Sequence, residues 1–393
     1  MKHKILTVGI LMGLLLSITL SVAQAQTDET GEEYVVQADD WLSKIADKFY
    51  GDILAYPTIV EATNAKAADD DSFAVIDNPD IIEIGQKLWI PTADGAMAEG
   101  EMMEDVDSSF PSSYALPGEA VFPEGVAYNT ATGKFYVGST TDGTLYEGDA
   151  ASGNVSVFSE GGADGRTTAI GMKVDANGYL WVSGGGTGQM FVYNTADGSL
   201  VASFTTPEVE QTFINDVTLT SDGVAYFTDS FRPILFKIVD LAEGEARSWL
   251  DFTDTVAAYG EGFNLNGVAA TPDDRYLLTV NSGTGALFRI DNDSLEVIQI
   301  DTGGADLTAG DGILLVGDTL YVTRNSFGEI VPVTMSEDFT LGTAGEPITD
   351  DAFITPTTIA QVDDSLLVVN SQFSNRGGTP SLPFSVSRIP LPQ

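Results

Sequence analysis

Four side chains that end in a carboxylate or an amide occupy matching places in this sequence of 393 residues. Each stands near the beginning of a short apolar segment: Glu124 in PEGVAY, Asn215 in INDVTL, Asn266 in LNGVAA and Asp311 in GDGILL. Two comparable segments, IGMKV and TPTTIA, carry Met172 and Thr357 there. One such residue alone would be read as a turn or a strand-start cap, but the recurrence indicates a shared role.

Composition removes several other kinds of chemistry. The chain has no cysteine and a single histidine, His3, which lies in a segment that we predict to be cleaved off. Disulfides, thiol nucleophiles and a Ser-His-Asp triad are therefore excluded. Zinc and copper sites and a redox metalloenzyme are disfavoured, because they depend on His or Cys ligands. Oxygen ligands remain, and these suit hard cations, Ca²⁺ above all outside the cell.

The charge balance is strongly acidic. The chain has 58 acidic against 17 basic residues, a formal net charge of −41 at pH 7. A surface this acidic repels nucleic acid and anionic lipid and favours cations. We expect no nucleic-acid partner, and we expect a monomer.

The first 25 residues have the pattern of a secretory signal peptide. Lys2, His3 and Lys4 form a basic start, ILTVGILMGLLL is apolar, and AQA offers a cleavage site before Gln26. The alternative is a membrane anchor, but the apolar run is short for a bilayer span. We predict a secreted protein, extracellular or in the cell wall or periplasm, without a membrane span.

The next segment, residues 33–92, is predicted to form a small α+β domain. YVVQ reads as a strand, WLSKIADKFY and AYPTIVEATN have helical spacing, and KLWIP reads as a final strand. The second helix is expected to end near Asn64. The predicted order is strand, helix, helix, strand.

This domain resembles the lysin motif (LysM) in YVVQADDWLSKIADKFYG and IEIGQKLWIP. One departure is Asp39, where the family usually has glycine. The resemblance implies binding to peptidoglycan or a chitin-like glycan containing N-acetylglucosamine, between residues 39–42 and 78–84. The glycan-binding residues that it implies are Asp40, Trp41, Leu42 and Ile82. Trp41 either stacks on a sugar or packs on its own helix.

From residue 116 onward the sequence has an all-β pattern, with short apolar runs separated by Asp-Gly, Asn-Gly and Gly-Gly turns. The runs recur at intervals of about 45 residues. They align on Tyr136, Trp181, Tyr226, Leu277, Tyr321 and Leu367. Six repeats, each long enough for four strands, predict a six-bladed β-propeller. A β-sandwich is the alternative, but it does not explain the even spacing.

The last repeat contains only three strand-like runs before Gln393. Its fourth strand is expected from YALPGEAVF, which precedes Glu124, because pairing the two ends closes the ring and removes an exposed sheet edge. The predicted organisation is a signal peptide (1–25), a LysM domain (33–92), a flexible acidic linker (93–115) and a mostly β propeller (116–393).

Residues 118–390 resemble the regucalcin/gluconolactonase family, the senescence-marker-protein-like propellers. The resemblance rests on PEGVAY, on IND with AYFTDS, on NGVAATPDDRYLLTVNS and on GDGILLVGDTLYVT. It implies a divalent metal, commonly calcium, at the mouth of the central channel. The ligands that it implies are Glu124, Asn215, Asn266 and Asp311. Asn264, in GFNLNG, has no counterpart and is predicted to be a turn residue.

Two departures from the family pattern concern the substrate and the acidic ligand. Enzymes of the family often have an arginine where this chain has Phe213, and Arg376, in the insertion SQFSNRGGTPSLP, is a candidate replacement. Phe213 and Arg376 are therefore the predicted substrate-binding residues. Asp175 in GMKVDANG also resembles the Asp-bearing segment, but Asp311 keeps the order of the repeats.

Two functional hypotheses follow. The first is a wall-attached, metal-dependent hydrolase of a lactone or related ester, in which the metal polarises the carbonyl and Asp311 is the general base. The second is a non-catalytic, calcium-stabilised binding or sensing propeller displayed on the cell wall, which Phe213 and the acidic surface favour. Both hypotheses expect a divalent metal ion, Ca²⁺ first, and a glycan partner.

Overall fold

The computed structural model describes residues 31–37, 40, 42–50, 56–70, 72–76, 82–91, 110–207, 211–242 and 244–391. The chain divides into two compact units between Asp105 and Val106. The predicted signal peptide lies outside the described residues, as does most of the predicted linker. Within the ranges given, no helix combines the length and the apolar character that a bilayer crossing requires.

The N-terminal unit has two strands and two helices. They are β1 Gly31–Val35, α1 Leu42–Tyr50, α2 Tyr56–Asp69 and β2 Lys87–Pro91. The strands pair antiparallel, and a core that includes Leu42, Ile59 and Leu88 joins both helices to β2. Burying one stripe of each helix is what holds so small a unit together.

Helix α2 continues beyond the predicted end at Asn64. The Asn64 side chain does not cap the helix; its Oδ1 accepts a hydrogen bond from the Ile76 N–H (2.7 Å) and its Nδ2 donates to the Ile76 carbonyl (3.2 Å). The asparagine thus fastens the following loop to the helix. The first strand also lies earlier than predicted, because its ladder with β2 ends at Val35.

The C-terminal unit is a six-bladed β-propeller of four-stranded antiparallel sheets, as predicted. It begins with β3 Ser113–Leu116. Blades 1 to 3 are β4 Pro123–Asn129, β5 Lys134–Ser139, β6 Leu145–Asp149, β7 Val155–Ser159; β8 Met172–Val174, β9 Tyr179–Ser183, β10 Gln189–Asn194, β11 Leu200–Thr205; β12 Ile214–Leu219, β13 Ala225–Asp229, β14 Ile234–Ile238, β15 Arg247–Asp251. Blades 4 to 6 are β16 Leu265–Ala270, β17 Tyr276–Asn281, β18 Leu287–Asp291, β19 Val297–Gln299; β20 Gly310–Val316, β21 Thr319–Arg324, β22 Glu329–Met335, β23 Gly342–Ala344; β24 Pro356–Val362, β25 Ser365–Asn370, β26 Phe384–Pro390, with β3 as the fourth strand.

The ring closes by pairing the beginning of the propeller with its end. Strand β3 lies antiparallel to β26, with Leu116 opposite Phe384 and Ser113 opposite Ser387. The predicted closure is confirmed. The predicted boundary at residue 116 is too late, because β3 begins at Ser113, inside the segment assigned to the linker. Pairing removes the open edge that the third strand of blade 6 would otherwise expose.

Apolar clusters fill the junctions between neighbouring blades. One cluster lies at each of the six junctions, so the core forms a ring around the channel. Inner strands are covered on both faces and read as continuous apolar runs. Strand β13, for example, is buried at every residue, whereas the outer strand β15 is largely exposed.

Strand register corrects one residue of the repeat alignment. Counted from the first ladder pair of each blade, Leu278, not Leu277, matches Tyr226. The sequence alignment of blade 4 was one residue early, because the two leucines are adjacent and both apolar.

Candidate metal centre

A β-bulge begins the innermost strand of five blades. In blade 4, Leu265 pairs with Asn281, and the next pair is Val268 with Thr279, so the inner strand contributes one extra residue. The same shift occurs in β4, β12, β20 and β24. The first bulged residues are Glu124, Asn215, Asn266, Asp311 and Thr357. A bulge re-aims side chains, and here it does so at one end of the channel.

The structure brings the four predicted ligands together. Glu124, Asn215, Asn266 and Asp311 line one cavity of about 580 Å³. Each is nearly covered, with between 3% and 6% of its surface exposed. Thr357, in the fifth bulge, does not reach the cavity; its hydroxyl donates to the Glu124 carbonyl at 2.8 Å and joins blade 6 to blade 1.

Blade 2 differs from the other five, and its register corrects the position assigned to Met172. Met172 pairs with Val182 and therefore matches Val126, which pairs with Val137. The residue at the level of Glu124 is Ile170, which lines the cavity. At this level blade 2 thus contributes an apolar side chain in place of a carboxylate or an amide.

Hydrogen bonds orient the two asparagine amides. Asn215 Nδ2 donates to Ser230 Oγ (2.9 Å) and Asn266 Nδ2 donates to Ser282 Oγ (3.1 Å). Each serine hydroxyl has one proton and donates it in a hydrogen bond to a carbonyl of the next blade. Ser230 donates to the Leu265 carbonyl and Ser282 to the Gly310 carbonyl. Since the serine oxygens can then only accept, each asparagine must turn its nitrogen to the serine and its oxygen away.

Three buried oxygen atoms at this site have no hydrogen-bond partner. They are Glu124 Oε2, Asn215 Oδ1 and Asn266 Oδ1. Buried polar atoms are nearly always bonded, and an unmade bond costs stability. A cation among them would satisfy all three, so these residues fit a hard divalent metal such as Ca²⁺. In the described ranges, this site included, no three His, Cys, Asp or Glu side chains form a group that could hold a metal, so amide oxygens would have to complete the ligand set here.

The two carboxyl groups are strongly perturbed. Burial raises the pKa of Glu124 well above its usual value, and repulsion from Asp311 and Asp216 raises it further. Burial raises the pKa of Asp311 to about 7, although a hydrogen bond from Asn325 opposes this rise. Without a cation, these raised pKa values favour the neutral forms of the two carboxyl groups. A divalent cation beside them would favour the ionised forms.

Asp216 is a buried acid that the sequence analysis missed. It is the second bulged residue of blade 3, with 3% exposure. Its Oδ2 accepts a hydrogen bond from the Val268 N–H (3.1 Å), its Oδ1 has no partner, and burial raises its pKa. The sequence contained one signal for it. The second bulged residue is glycine in three of the other four bulged strands, whereas blade 3 has an aspartate at this position. Asp216 adds negative charge beneath the cavity and so favours a cation.

Glycine at that second bulge position lets the inner strands approach closely. A Cβ on Gly267 would lie 2.4 Å from the Asp311 carbonyl oxygen and 2.7 Å from the Ile313 nitrogen. Only glycine permits this approach without moving backbone. The contact sets the distance between the strands that carry Asn266 and Asp311.

Both predicted substrate-binding residues line the same cavity. Phe213 comes from blade 3 and Arg376 from the insertion between β25 and β26 of blade 6. Arg376 stacks over Phe373, with its guanidinium carbon 4.8 Å from the ring centroid. Asn325 and Ser282 also line the cavity, and Ser282 was not among the residues predicted for this site.

Asn264 and Asp175 take local roles. Asn264 Oδ1 accepts from the Gly260 N–H (2.8 Å) and its Nδ2 donates to the Gly262 carbonyl (2.9 Å), so it organises the loop, as predicted. Asp175 Oδ1 accepts from the N–H groups of Asn177 and Tyr179, both at 2.9 Å, in the turn after β8. Asp175 does not line the cavity, whereas Asp311 does.

The predicted glycan-binding residues of the N-terminal unit differ in their surroundings. Asp40 Oδ2 accepts hydrogen bonds from the Tyr34 hydroxyl (2.7 Å) and the Gln37 N–H (2.8 Å). Leu42 is buried in the core, and Ile82 packs against it partly buried. The Leu42 side chain is thus unavailable to a ligand, and only its backbone remains. Trp41 lies outside the described residues.

Comparison with known proteins reveals little close sequence similarity. No family model matches the chain. An uncharacterised protein of Deinococcus radiodurans is 39% identical over 71 residues, which is 18% of this chain. The match spans only 24% of that relative's length.

Solved structures share the propeller fold. The Malassezia sympodialis allergen Mala s 1 superposes with a TM-score of 0.57 at 13% identity, covering 71% of this chain and 96% of the allergen. A calcium-binding protein, regucalcin, from Agrobacterium tumefaciens gives 0.52 at 15% identity, over 71% and 93%. Virginiamycin B lyase from Staphylococcus aureus gives 0.50 at 13% identity, over 71% and 87%. Because such different proteins share one architecture, the similarity to them shows the fold alone.

Proposed function

We propose that the propeller binds a divalent cation, Ca²⁺ first, and hydrolyses a lactone or related ester in this cavity. The observation that carries the proposal is the set of buried oxygen atoms without donors, Glu124 Oε2, Asn215 Oδ1 and Asn266 Oδ1. They lie in a cavity that also contains Asp311. Two carboxylates and two neutral amides leave coordination positions for water or substrate.

The chain's own residues have separate tasks in this reaction. When bound, the cation would polarise the ester carbonyl and lower the pKa of a water molecule. Glu124, Asn215, Asn266 and Asp311 would hold the cation. Asp311, whose Oδ2 accepts a hydrogen bond from Asn325 (2.6 Å), accepts the proton of the attacking water as general base.

The second candidate is a non-catalytic, calcium-stabilised binding or sensing propeller. Phe213 favours it, because an aromatic ring stands where related enzymes often have a substrate-binding arginine. In this function the same four residues hold the cation, and Asp311 transfers no proton.

A panel of lactones and esters separates the two candidates. Turnover is measured with Ca²⁺, Mn²⁺, Zn²⁺ or EDTA for the wild type, for Asp311→Ala and for the exposed control Asp293→Asn. The hydrolase requires turnover that EDTA and Asp311→Ala abolish and that Asp293→Asn retains. Calcium binding without turnover on any ester supports the binding protein. Failure to bind calcium in calorimetry refutes both.

We further propose that the protein is secreted and that its N-terminal unit binds peptidoglycan or a chitin-like glycan. The strand, helix, helix, strand order and the bonding of Asp40 to Tyr34 and Gln37 support this proposal. Pull-down on insoluble peptidoglycan compares the full chain with Trp41→Ala and with a deletion of residues 26–95. Equal retention of all three would refute glycan binding, and a secreted chain that does not begin at Gln26 would refute the cleavage site.

A further inference from the structure

Phe213 and Phe263 line one side of the cavity, and the ring of Phe231 packs against both. Phe213 and Phe231 lie on either side of the β12–β13 hairpin in blade 3, and Phe263 precedes β16 in blade 4. Their ring centroids are 4.7 to 5.6 Å apart. Phe231 and Phe263 are 42% and 46% exposed, although each is a large apolar ring. Clustered exposed rings at a cavity are typical of a ligand-binding surface.

Arg376 forms the wall that faces these rings. Its guanidinium carbon lies 5.1 Å from the Phe122 ring centroid and 4.8 Å from that of Phe373. Its Nη2 donates to the Thr140 hydroxyl. Stacking and this hydrogen bond hold the guanidinium plane at the cavity rim and leave further N–H groups available.

Arg376 has no carboxylate partner among the described residues, unlike several other arginines of the propeller. Arg232 pairs with Asp229 and Arg324 with Glu329. In the described ranges no ion pair involves Arg376. For a chain with 58 acidic residues, an arginine placed in a cavity without an acidic partner indicates that its partner is an external anion.

The two walls lie on opposite sides of the channel. The aromatic wall belongs mainly to blade 3 and Arg376 belongs to blade 6, and these blades are opposite in a ring of six. The four oxygen-bearing residues of the candidate metal centre lie between the walls, on the inner strands. A bound molecule is therefore in contact with an apolar surface at one end, with a guanidinium at the other, and with the candidate cation site in the middle.

We infer that this cavity takes an amphipathic ester or lactone that carries a free carboxylate. Its apolar, aromatic-sized group packs on Phe213 and Phe263, and its carboxylate pairs with Arg376. A cavity of about 580 Å³ accommodates a molecule of this size. The inference rests on the proposed function for the ester group between the two ends. Hydrolysis adds the hydroxyl of water to the acyl carbon and its proton to the leaving oxygen, so no other reactant is needed.

Three matched esters test this inference on the full-length protein. Monobenzyl succinate carries both groups, benzyl methyl succinate lacks the carboxylate, and monomethyl succinate lacks the aromatic ring. We expect kcat/KM for monobenzyl succinate to exceed that for benzyl methyl succinate and that for monomethyl succinate by about tenfold or more. Arg376→Gln removes the advantage over benzyl methyl succinate, and Phe263→Ala removes the advantage over monomethyl succinate. Arg275→Gln and Phe327→Ala, at exposed residues that do not line the cavity, retain both advantages.

A binding measurement separates this inference from the hydrolase proposal. Calorimetry with 4-phenylbutanoate in Ca²⁺ buffer requires no turnover. Binding that both Arg376→Gln and Phe263→Ala weaken, with no ester hydrolysed, supports the two walls and refutes the hydrolase. Hydrolysis of all three esters at equal rates refutes the inference and leaves the hydrolase standing. Binding that EDTA abolishes and Arg376→Gln does not change also refutes it, because the carboxylate would then bind the cation.

Discussion

The side-chain amide of Asn325 donates a hydrogen bond of 2.6 Å to Oδ2 of Asp311. Asn325 directly follows β21, and Asp311 lies in the bulge of β20, the neighbouring strand of blade 5. Ser230 and Ser282 occupy the equivalent positions after the second strands of blades 3 and 4, where they hold Asn215 and Asn266. Each of these three site residues is therefore fixed by a partner from its own blade.

Replacing Asn325 is expected to weaken metal binding. Asn325→Ala removes the partner that orients Asp311, and partners of this kind typically change metal affinity by about 10- to 100-fold. The pKa of Asp311 rises further, because this hydrogen bond lowers it. Calcium titration calorimetry measures the affinity, with the exposed turn residue Asn177→Ala as control. Wild-type affinity in Asn325→Ala would show that Asp311 needs no such partner.

The two asparagines of GFNLNG are expected to respond in opposite ways. Asn266→Ala removes an inward-facing oxygen and weakens Ca²⁺ binding, with a smaller effect on stability because its amide bonds a single serine. Asn264→Ala removes the hydrogen bonds of a buried side chain to the Gly260 N–H and the Gly262 carbonyl and lowers the free energy of unfolding by about 1–3 kcal/mol. For both variants, calorimetry measures the Ca²⁺ affinity and urea denaturation measures the free energy of unfolding. The reverse pattern would mean that the ligand is Asn264.

Stability of the metal-free protein is expected to fall as pH rises toward neutral. The pKa of Asp311 is raised to about 7 in the folded state, against about 4 in an unfolded chain. Between these values the folded state retains a proton that the unfolded chain has released, so the stability from the neutral carboxyl is complete below about pH 4 and lost as pH approaches 7.

Thermal denaturation in EDTA from about pH 5 to about pH 8 measures this slope. Asp311→Asn is expected to flatten it, and Asp293→Asn to leave it unchanged. Calcium affinity is expected to rise over the same range, because the ion binds the ionised carboxylates. A metal-free protein that gains stability from pH 5 to 7 through this residue would contradict the burial argument.

Gly267 is expected to tolerate no side chain. Gly267→Ala places a Cβ 2.4 Å from the Asp311 carbonyl oxygen, and overpacking of this kind costs about 1–3 kcal/mol. Calcium affinity also falls, because Asp311 must move. Gly260→Ala is the matched control, since its Cβ would meet nothing within 4 Å. Urea midpoints of the two variants that agree within error would refute the close approach.

Tyr114 is expected to be important for ring closure. It is fully buried on β3, its hydroxyl donates to the Ala150 carbonyl (2.9 Å), and its ring packs edge-on against Phe135 (4.8 Å). Tyr114→Ala costs about 3–5 kcal/mol, whereas Tyr114→Phe keeps the packing and costs about 1 kcal/mol. Denaturation monitored by circular dichroism compares them. Equal losses would assign the stabilisation to the hydroxyl and not to the ring.

The repeats could be predicted from the sequence because their signals are local. Turn dipeptides and apolar runs recur once per strand, and this spacing gave six blades, the closure through YALPGEAVF and the shared position of Glu124, Asn215, Asn266 and Asp311. Register within a strand was less well predicted. Leu277 and Leu278 are both apolar, and neither pattern nor spacing distinguishes them.

Ser230, Ser282 and Asn325 share a weak sequence signal. Each directly follows the second strand of its blade, in FTDS, TVNS and VTRN. Their role depends on a carbonyl of the next blade for the serines and on a bulged neighbour for Asn325. Such partners are far apart in the chain, and no local pattern reports them.

The sequence by itself determined the chemistry that is available to this protein: oxygen ligands without His or Cys chemistry, on six repeated blades. Only the tertiary structure decided where those oxygens point. Bulges at the channel mouth turn them inward, serines fix the amide orientation, and burial raises the carboxyl pKa values, all through contacts between distant segments. The tertiary structure alone also places Phe213 of blade 3 across the channel from Arg376 of blade 6, because opposite blades face each other only when the ring has closed.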